Sequence, residues 1–168
     1  QSSGGDHPCY IETDKTGKWV FAGNYSSGNL AVFPVRKDGG LSSADTLIQH
    51  TGQGINEKRQ KGPHVHCTVL SPDNKWLLVP DLGIDKTMIY RFDAGTGKLS
   101  TGKQKYIASD PGAGPRQFVF HPNNQVGYLI EELSGTVAAH KFKQGRFKRI
   151  QRVFTLKEGD SSFAGSAD

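Results

Sequence analysis

The chain has 168 residues, of which 35% are apolar and 22% are charged, and its formal net charge is +5. This length supports one domain with a sizeable core. No run of about 18 apolar residues occurs, so neither a membrane-spanning helix nor a membrane partner is expected. The two cysteines, Cys9 and Cys67, are too few for a disulfide framework, which favours a reducing, cytoplasmic location.

Short apolar runs separated by polar turns begin at Pro8, in PCYIETDKTGKWVFAGNYSSGNLAVFPV. They predict three strands joined by turns, because each run is too short for a helix and shows no helical period. A fourth β-rich segment, residues 46–50, completes this first unit.

The same arrangement recurs twice further along the chain, from Val65 and from Pro115, with fourth segments at residues 104–108 and 147–156. The insertion TGQGINEKRQKG makes the first unit longer than the others. The offsets between units are 57 and 50 residues, measured between the equivalent positions held by Trp19, Trp76 and Val126.

Four short strands repeated about every 50 residues are typical of the blades of a β-propeller. A β-sandwich is the alternative all-β fold, but its strands need not recur in registered groups of four. A propeller ring closes with about 4 to 8 blades. We therefore expect residues 1–168 to form a partial propeller domain, a fragment of a longer ring, with approximate blades 7–63, 64–113 and 114–168.

Several segments, taken as a set, carry a resemblance to a known family: GNYSSGNLAVFPV, GPHVHCTVLSPDNKWLLVPDLGIDK, GPRQFVFHPN and EELSGTV. From Pro8 to Asp168 the chain resembles the lactonase family of seven-bladed β-propellers. The resemblance implies about three of the seven blades. It also implies a hydrolase that opens a sugar-phosphate lactone, as in the 6-phosphogluconolactonase step of the pentose phosphate pathway, and no cofactor.

The resemblance also implies a catalytic group in the central channel. His66, Arg116 and Glu132 match a histidine, an arginine and a glutamate that cluster there in the related muconate lactonizing propellers. A second arginine of that group is expected after Asp168. Position 131 is a glutamate where the family has asparagine, which adds a negative charge beside the proposed site.

The internal repeat places the same residues together without reference to the family. In a propeller the first strand of each blade lines the channel, so equivalent positions from successive blades converge on it. The position near the start of the first strand is held by Cys9, His66 and Arg116. The position just after the second strand is held by Tyr25, Leu82 and Glu132.

These residue types suit the opening of a lactone, which needs an activated water and stabilisation of an oxyanion. An imidazole such as His66 suits the base, and the guanidinium of Arg116 offers fixed donors to an oxyanion, carboxylate or phosphate. Glu132 either orients His66 or is itself the acid or base. Contacts with substrate are expected from His64, Glu131 and Tyr25.

Structural alternatives remain open for each of these residues. His64 and His66 also fit ordinary histidines at a strand end, and an H-x-H pair without further ligands does not predict a metal site. Arg116 also fits a simple ion pair. The basic segment 140–152 fits an exposed edge strand better than a nucleic-acid surface, so no nucleic-acid partner is expected.

Two other functions remain open: a non-catalytic propeller module that binds a ligand, and a lactonizing isomerase that uses the same channel site. Three blades are also expected to expose two apolar blade faces, through which the chain would self-associate. Aromatic residues predicted on such faces are Phe33, Trp76, Phe92, Phe118 and Phe142.

Overall fold

A computed structural model describes residues 1–155 and Gly165; the predicted blade end at residues 156–168 otherwise lies outside the described residues. The described part contains twelve strands and one 3-10 helix, Leu82–Ile84. The strands are β1 Pro8–Thr13, β2 Trp19–Asn24, β3 Asn29–Pro34, β4 Thr46–Gln49, β5 Val69–Leu70, β6 Trp76–Asp81, β7 Lys86–Phe92, β8 Leu99–Ala108, β9 Pro115–Phe120, β10 Val126–Glu131, β11 Thr136–Lys143 and β12 Arg146–Phe154.

The strands form three separate four-stranded antiparallel sheets, in which sequential strands are neighbours. We call them blade 1 (β1–β4), blade 2 (β5–β8) and blade 3 (β9–β12). The all-β propeller prediction is confirmed, and β12 lies at the edge of blade 3. Within the described part of the chain, no helix has the length and apolar character needed to cross a bilayer.

The turn between the first two strands is the same in every blade. Its fourth residue is Gly17, Asn74 or Asn124, and each has a positive φ, between 58° and 67°. Glycine and asparagine tolerate this left-handed conformation better than other residues. The amide of that residue donates to the carbonyl of the first turn residue at 2.8–3.0 Å in all three blades.

The first strand of blade 2 is shorter than the sequence predicts. Regular pairing with β6 is confined to β5, Val69–Leu70. Upstream, Val65 makes an isolated bridge to Asp81, and the His66 amide donates to the Pro80 carbonyl at 3.0 Å. His66 therefore keeps its place beside β6 although the strand is irregular there.

Blade 2 is covered on both faces. One apolar cluster joins its Leu77, Val79 and Phe92 to Phe21 and Leu30 of blade 1. The other joins blade 2 to blade 3 and contains Cys67, Val69, Leu78, Ile89, Phe118, Leu129 and Phe147. Alternate residues of one strand face opposite sides of the sheet, so blade 2 contributes to both clusters.

Of the aromatic residues predicted on open blade faces, only Phe33 lies on one. It packs with Val20, Ala22 and Ala31 on the face of blade 1 that points away from blade 2. Phe92 lies in the cluster between blades 1 and 2, and Phe118, Trp76 and Phe142 lie in or against the cluster between blades 2 and 3. For these four residues the prediction was wrong, because strand parity places them on faces that a neighbouring blade covers. The exposed large apolar residues of the outer blades include Ile11, Leu47, Val119, Tyr128 and Val153.

Candidate active site

His66 and Arg116, which hold the same repeat position in blades 2 and 3, are in direct contact. Arg116 Nη1 lies 2.8 Å from His66 Nε2. A guanidinium only donates hydrogen bonds, so Nε2 is the acceptor and the ring proton lies on Nδ1. The contact therefore holds His66 as a neutral imidazole.

Glu132 joins His66 and Arg116 and supplies the negative charge of this cluster. Its Oε2 accepts a hydrogen bond from Arg116 Nη1 at 2.6 Å, and its Oε1 accepts one from Arg59 Nη2 at 2.7 Å. Burial acts to raise the pKa of the Glu132 carboxyl, but the hydrogen bonds from Arg59 and Arg116 outweigh it, and the net pKa is lowered. Glu132 is thus ionised and holds two guanidinium groups.

Glu132 does not hydrogen-bond to His66. The distance between His66 Nε2 and Glu132 Oε2 is 4.0 Å, which is too long for a hydrogen bond. The sequence left two roles open for Glu132, to orient His66 or to act as the acid or base. Neither matches this geometry, because Glu132 does not bond His66 and both of its oxygens are bonded to arginines. Its contact with the imidazole runs through Arg116.

Arg59 is the member of the cluster that the sequence did not predict. It lies in the insertion between blades 1 and 2, and its Nη2 also contacts the Tyr25 hydroxyl at 3.3 Å. A signal was present: the insertion carries a basic pair, Lys58 and Arg59, only a few residues before His64. The insertion has no counterpart in the other blades, so the internal repeat assigns it no role.

The segment that carries Arg59 is anchored by its neighbour. Gln60 is 1% exposed, and its Nε2 donates to the Leu82 carbonyl at 2.8 Å and to Asp85 Oδ1 at 2.7 Å. Its Oε1 accepts from the Asn56 amide at 3.0 Å. These contacts fix the backbone from which the Arg59 side chain extends.

Tyr25 and His64 form an aromatic wall beside the cluster. Their rings stack at 4.5 Å with an interplanar angle of 15°, and the Tyr25 ring meets the His66 ring edge-on at 5.3 Å. His64 Nδ1 lies 3.0 Å from the Tyr25 carbonyl, so Nδ1 carries the proton. Tyr25 and His64 thus form one side of the cluster.

Glu131 is not brought to this cluster, contrary to the expectation of a substrate contact. It is 1% exposed, and its Oε2 accepts hydrogen bonds from Thr136 Oγ1 at 2.6 Å and Arg152 Nε at 2.7 Å. Asn24 and Asp81 hold the same repeat position. Each bonds the turn that follows, Asn24 to Asn29 and Asp81 to the Gly83 amide. The residue at position 131 therefore stabilises the turn that follows it, and its carboxylate is paired with Arg152.

Cys9 and Leu82, which hold the same repeat positions as His66 and Glu132 in other blades, add no charged group to the cluster. Cys9 Sγ lies 3.6 Å from the His66 carbonyl oxygen, and burial raises the pKa of its thiol despite the opposing charge of Arg116. Leu82 is buried. Over the described residues, no group of three or more His, Cys, Asp or Glu side chains is arranged to hold a metal ion.

The chain folds into three four-stranded blades. Blades 2 and 3 bring together an imidazole and a guanidinium from the first-strand side and a carboxylate that follows the second strand of blade 3. These features define part of a propeller with a polar site. The family model described as "Lactonase, 7-bladed beta-propeller" matches residues 1–168. The chain belongs to this lactonase family.

Two curated relatives are similar to this chain over most of its length. It is 36% identical to a 6-phosphogluconolactonase of Bacillus subtilis over 92% of this chain and 43% of that protein. It is 37% identical to a 6-phosphogluconolactonase of Formosa agariphila over 100% of this chain and 48% of that protein. The chain thus spans less than half the length of these curated relatives.

A solved structure shows the same arrangement of blades. The periplasmic gluconolactonase of Pseudomonas aeruginosa superposes with a TM-score of 0.88 at 33% identity, over 95% of this chain and 45% of that chain. The fold and the family are therefore supported by sequence and by structure.

Proposed function

We propose that the protein containing this chain hydrolyses a sugar-phosphate lactone, 6-phosphogluconolactone, as in the pentose phosphate pathway. The observation that carries the proposal is the position of Arg116, whose Nη1 contacts both His66 Nε2 at 2.8 Å and Glu132 Oε2 at 2.6 Å. The names of the Bacillus subtilis and Formosa agariphila relatives support the same substrate.

In the proposed reaction, His66 Nε2 takes a proton from water while the water oxygen attacks the lactone carbonyl carbon. The carbonyl oxygen gains negative charge and accepts a hydrogen bond from Arg116, which frees the Nε2 lone pair. The ring C–O bond then breaks, the proton passes from His66 to the departing ring oxygen, and a hydroxy acid is released. Glu132 stays ionised and holds Arg116.

The charge of the cluster favours an anionic substrate. Arg59 and Arg116 contribute two positive charges and Glu132 one negative charge, while His66 is neutral. The remaining positive charge lies at partly exposed side chains, 34% for Arg59 and 20% for Arg116. A phosphorylated lactone would be attracted to such a site.

The test is a lactonase assay on 6-phosphogluconolactone, corrected for spontaneous hydrolysis, with the full protein and its His66→Ala variant. We expect the variant to lose activity by about 10²- to 10⁴-fold, as is usual for a positioned acid or base. The control is His121→Ala, in the turn that follows the end of β9 farthest from Arg116. A wild-type protein that binds the hydrolysis product but opens no lactone would favour the binding-module alternative. Formation of a lactone from an unsaturated diacid would favour the isomerase.

A cytoplasmic location is part of this proposal, because it rests on the low cysteine content. The similar Pseudomonas aeruginosa protein is named as periplasmic. Cell fractionation with detection of the full protein decides between these locations, and recovery from the periplasm would contradict ours.

We also propose that the isolated 168-residue chain self-associates through its uncovered blade faces. Exposed apolar residues on these faces include Ile11 at 67% and Val119 at 60%. Light scattering of this chain should show species larger than a monomer, and Val119→Lys should weaken them. A stable monomer over a wide concentration range would contradict this.

A further inference from the structure

We propose that Arg59 is a specificity-determining residue, which binds the phosphate group of the substrate and distinguishes phosphorylated from unphosphorylated lactones. This inference rests on the proposed lactonase function, which it extends to a residue outside the predicted catalytic group. Arg59 reaches the cluster from the insertion between blades 1 and 2, and it contacts Glu132 at 2.7 Å.

The two guanidinium groups hold different places in the cluster. Arg116 bonds Glu132 Oε2 and stands against His66 Nε2, where the reacting carbonyl must lie. Arg59 bonds the other oxygen, Oε1, on the side of the Tyr25 hydroxyl. In a 6-phosphorylated δ-lactone the phosphate is carried on C6, which is attached to the ring carbon beside the ring oxygen, so it lies near the reacting carbonyl but apart from it. Two guanidinium groups on the two oxygens of one carboxylate match two substrate groups at such a short separation. Since Arg116 is committed to the reacting carbonyl, the cation that meets the phosphate is Arg59.

Arg59 also has donors to offer a phosphate. Its Nη2 makes both of its hydrogen bonds, to Tyr25 and Glu132, and among the described residues Nε and Nη1 have no hydrogen-bond acceptor. A guanidinium binds phosphate through more than one N–H, which gives both affinity and geometry. At 34% exposure the side chain is reachable by a ligand without leaving Glu132.

The position of Arg59 is held before any ligand binds. Gln60 is buried and bonded to the Leu82 carbonyl and to Asp85, and the Arg59 amide donates to Asn56 Oδ1 at 3.1 Å. At the tip of the side chain, Glu132 restrains the guanidinium. A preorganised cation loses less conformational entropy on binding than a flexible surface side chain does.

The experiment measures binding of two stable hydrolysis products, gluconate 6-phosphate and gluconate, by calorimetry on the full protein. Wild type should prefer gluconate 6-phosphate. Arg59→Gln should weaken binding of gluconate 6-phosphate by about 10- to 100-fold, the usual effect of one charge-assisted contact, and should leave gluconate binding within about threefold. Arg59→Lys keeps the positive charge and loses the forked geometry of the guanidinium. Its affinity for gluconate 6-phosphate should lie between those of wild type and Arg59→Gln, and it replaces Arg59→Gln in the test if that variant does not fold.

Lys58→Gln is the matched control, because it removes the same charge from the adjacent, exposed position. It should retain the wild-type preference. Equal weakening of both ligands by Arg59→Gln would overturn the inference and make Arg59 a positioning residue for Glu132. Equal binding of both ligands by wild type would also overturn it.

A lactonase assay on the same samples separates this inference from the proposed function. Loss of phosphate discrimination in Arg59→Gln, in a protein that opens no lactone, would contradict the proposed function alone. Lactonase activity with unchanged discrimination in that variant would contradict the role of Arg59 alone.

Discussion

At the junction of blades 1 and 2, a histidine faces a carboxylate in the interior of the protein. His50 Nδ1 lies 2.7 Å from Asp81 Oδ2, and the side chains are 2% and 0% exposed. The Tyr90 hydroxyl lies 3.0 Å from His50 Nε2. Both ring nitrogens have hydrogen-bond partners in the protein, and the side chain is almost fully buried.

At the junction of blades 2 and 3, a second histidine lies near a carboxylate under different conditions. His66 and Glu132 are 4.0 Å apart and are 12% and 8% exposed. Arg116 bonds both of them, and Arg59 adds a second positive charge. A histidine near a carboxylate is thus no signature of function by itself. Solvent access and excess positive charge separate the candidate site from the buried network.

The largest effect is expected from breaking the buried network. His50→Ala removes the partner of Asp81, which is fully buried, and leaves the Tyr90 hydroxyl without its acceptor or donor. Removal of one member of a buried pair costs about 3 kcal/mol or more. The free energy of unfolding from urea titration should fall by about that amount, while lactonase activity of the folded variant stays within about threefold. Lost activity with unchanged stability would place His50 in the site.

The next largest effect is expected from two adjacent glutamates. Glu132→Gln removes the ionic anchor of Arg59 and Arg116, and misplacement of a catalytic group by about 1 Å costs about 10²-fold in activity. Glu131→Gln should lower the melting temperature by weakening its bond to Arg152, and should leave lactonase activity near wild type. The reverse pattern in these two variants would restore Glu131 as the functional carboxylate.

The contact between His66 and Arg116 was predictable because it depends on what the blades share. The turns of all three blades end the first strand in the same way, with Gly17, Asn74 or Asn124 in the left-handed conformation. Equivalent positions therefore have equivalent directions, and the repeat alone brings residues 66 and 116 together.

Arg59 was not predictable in this way, because it lies in an insertion that has no counterpart in the other blades, and no internal alignment gives its direction. The separation of Glu131 from Glu132 does follow from the repeat. Asn24 and Asp81 hold the position of Glu131 and bond the following turn as Glu131 does. Adjacent residues at a strand end point to opposite sides, so Glu132 alone turns toward Arg116.

The smallest effect is a pH dependence at the junction of blades 1 and 2. Glu12 Oε2 accepts a hydrogen bond from the Leu70 amide at 3.0 Å. Burial raises the pKa of Glu12 to about 7, and the bond from Leu70 opposes this only in part. The folded protein thus binds a proton at Glu12 more tightly than the unfolded chain does. The stability gained from that proton is present at low pH and is lost as the pH rises through about 7.

The measurement compares the free energy of unfolding of wild type and Glu12→Gln at about pH 5 and about pH 8. Glutamine keeps an acceptor for the Leu70 amide and carries no charge, so wild type should lose stability relative to the variant as the pH rises. Glu57→Gln, at an exposed loop position, should show no such change. The effect should be small because solvent reaches part of the Glu12 side chain. A difference between wild type and Glu12→Gln that is the same at both pH values would show that the Glu12 carboxyl is not desolvated by the blade contact.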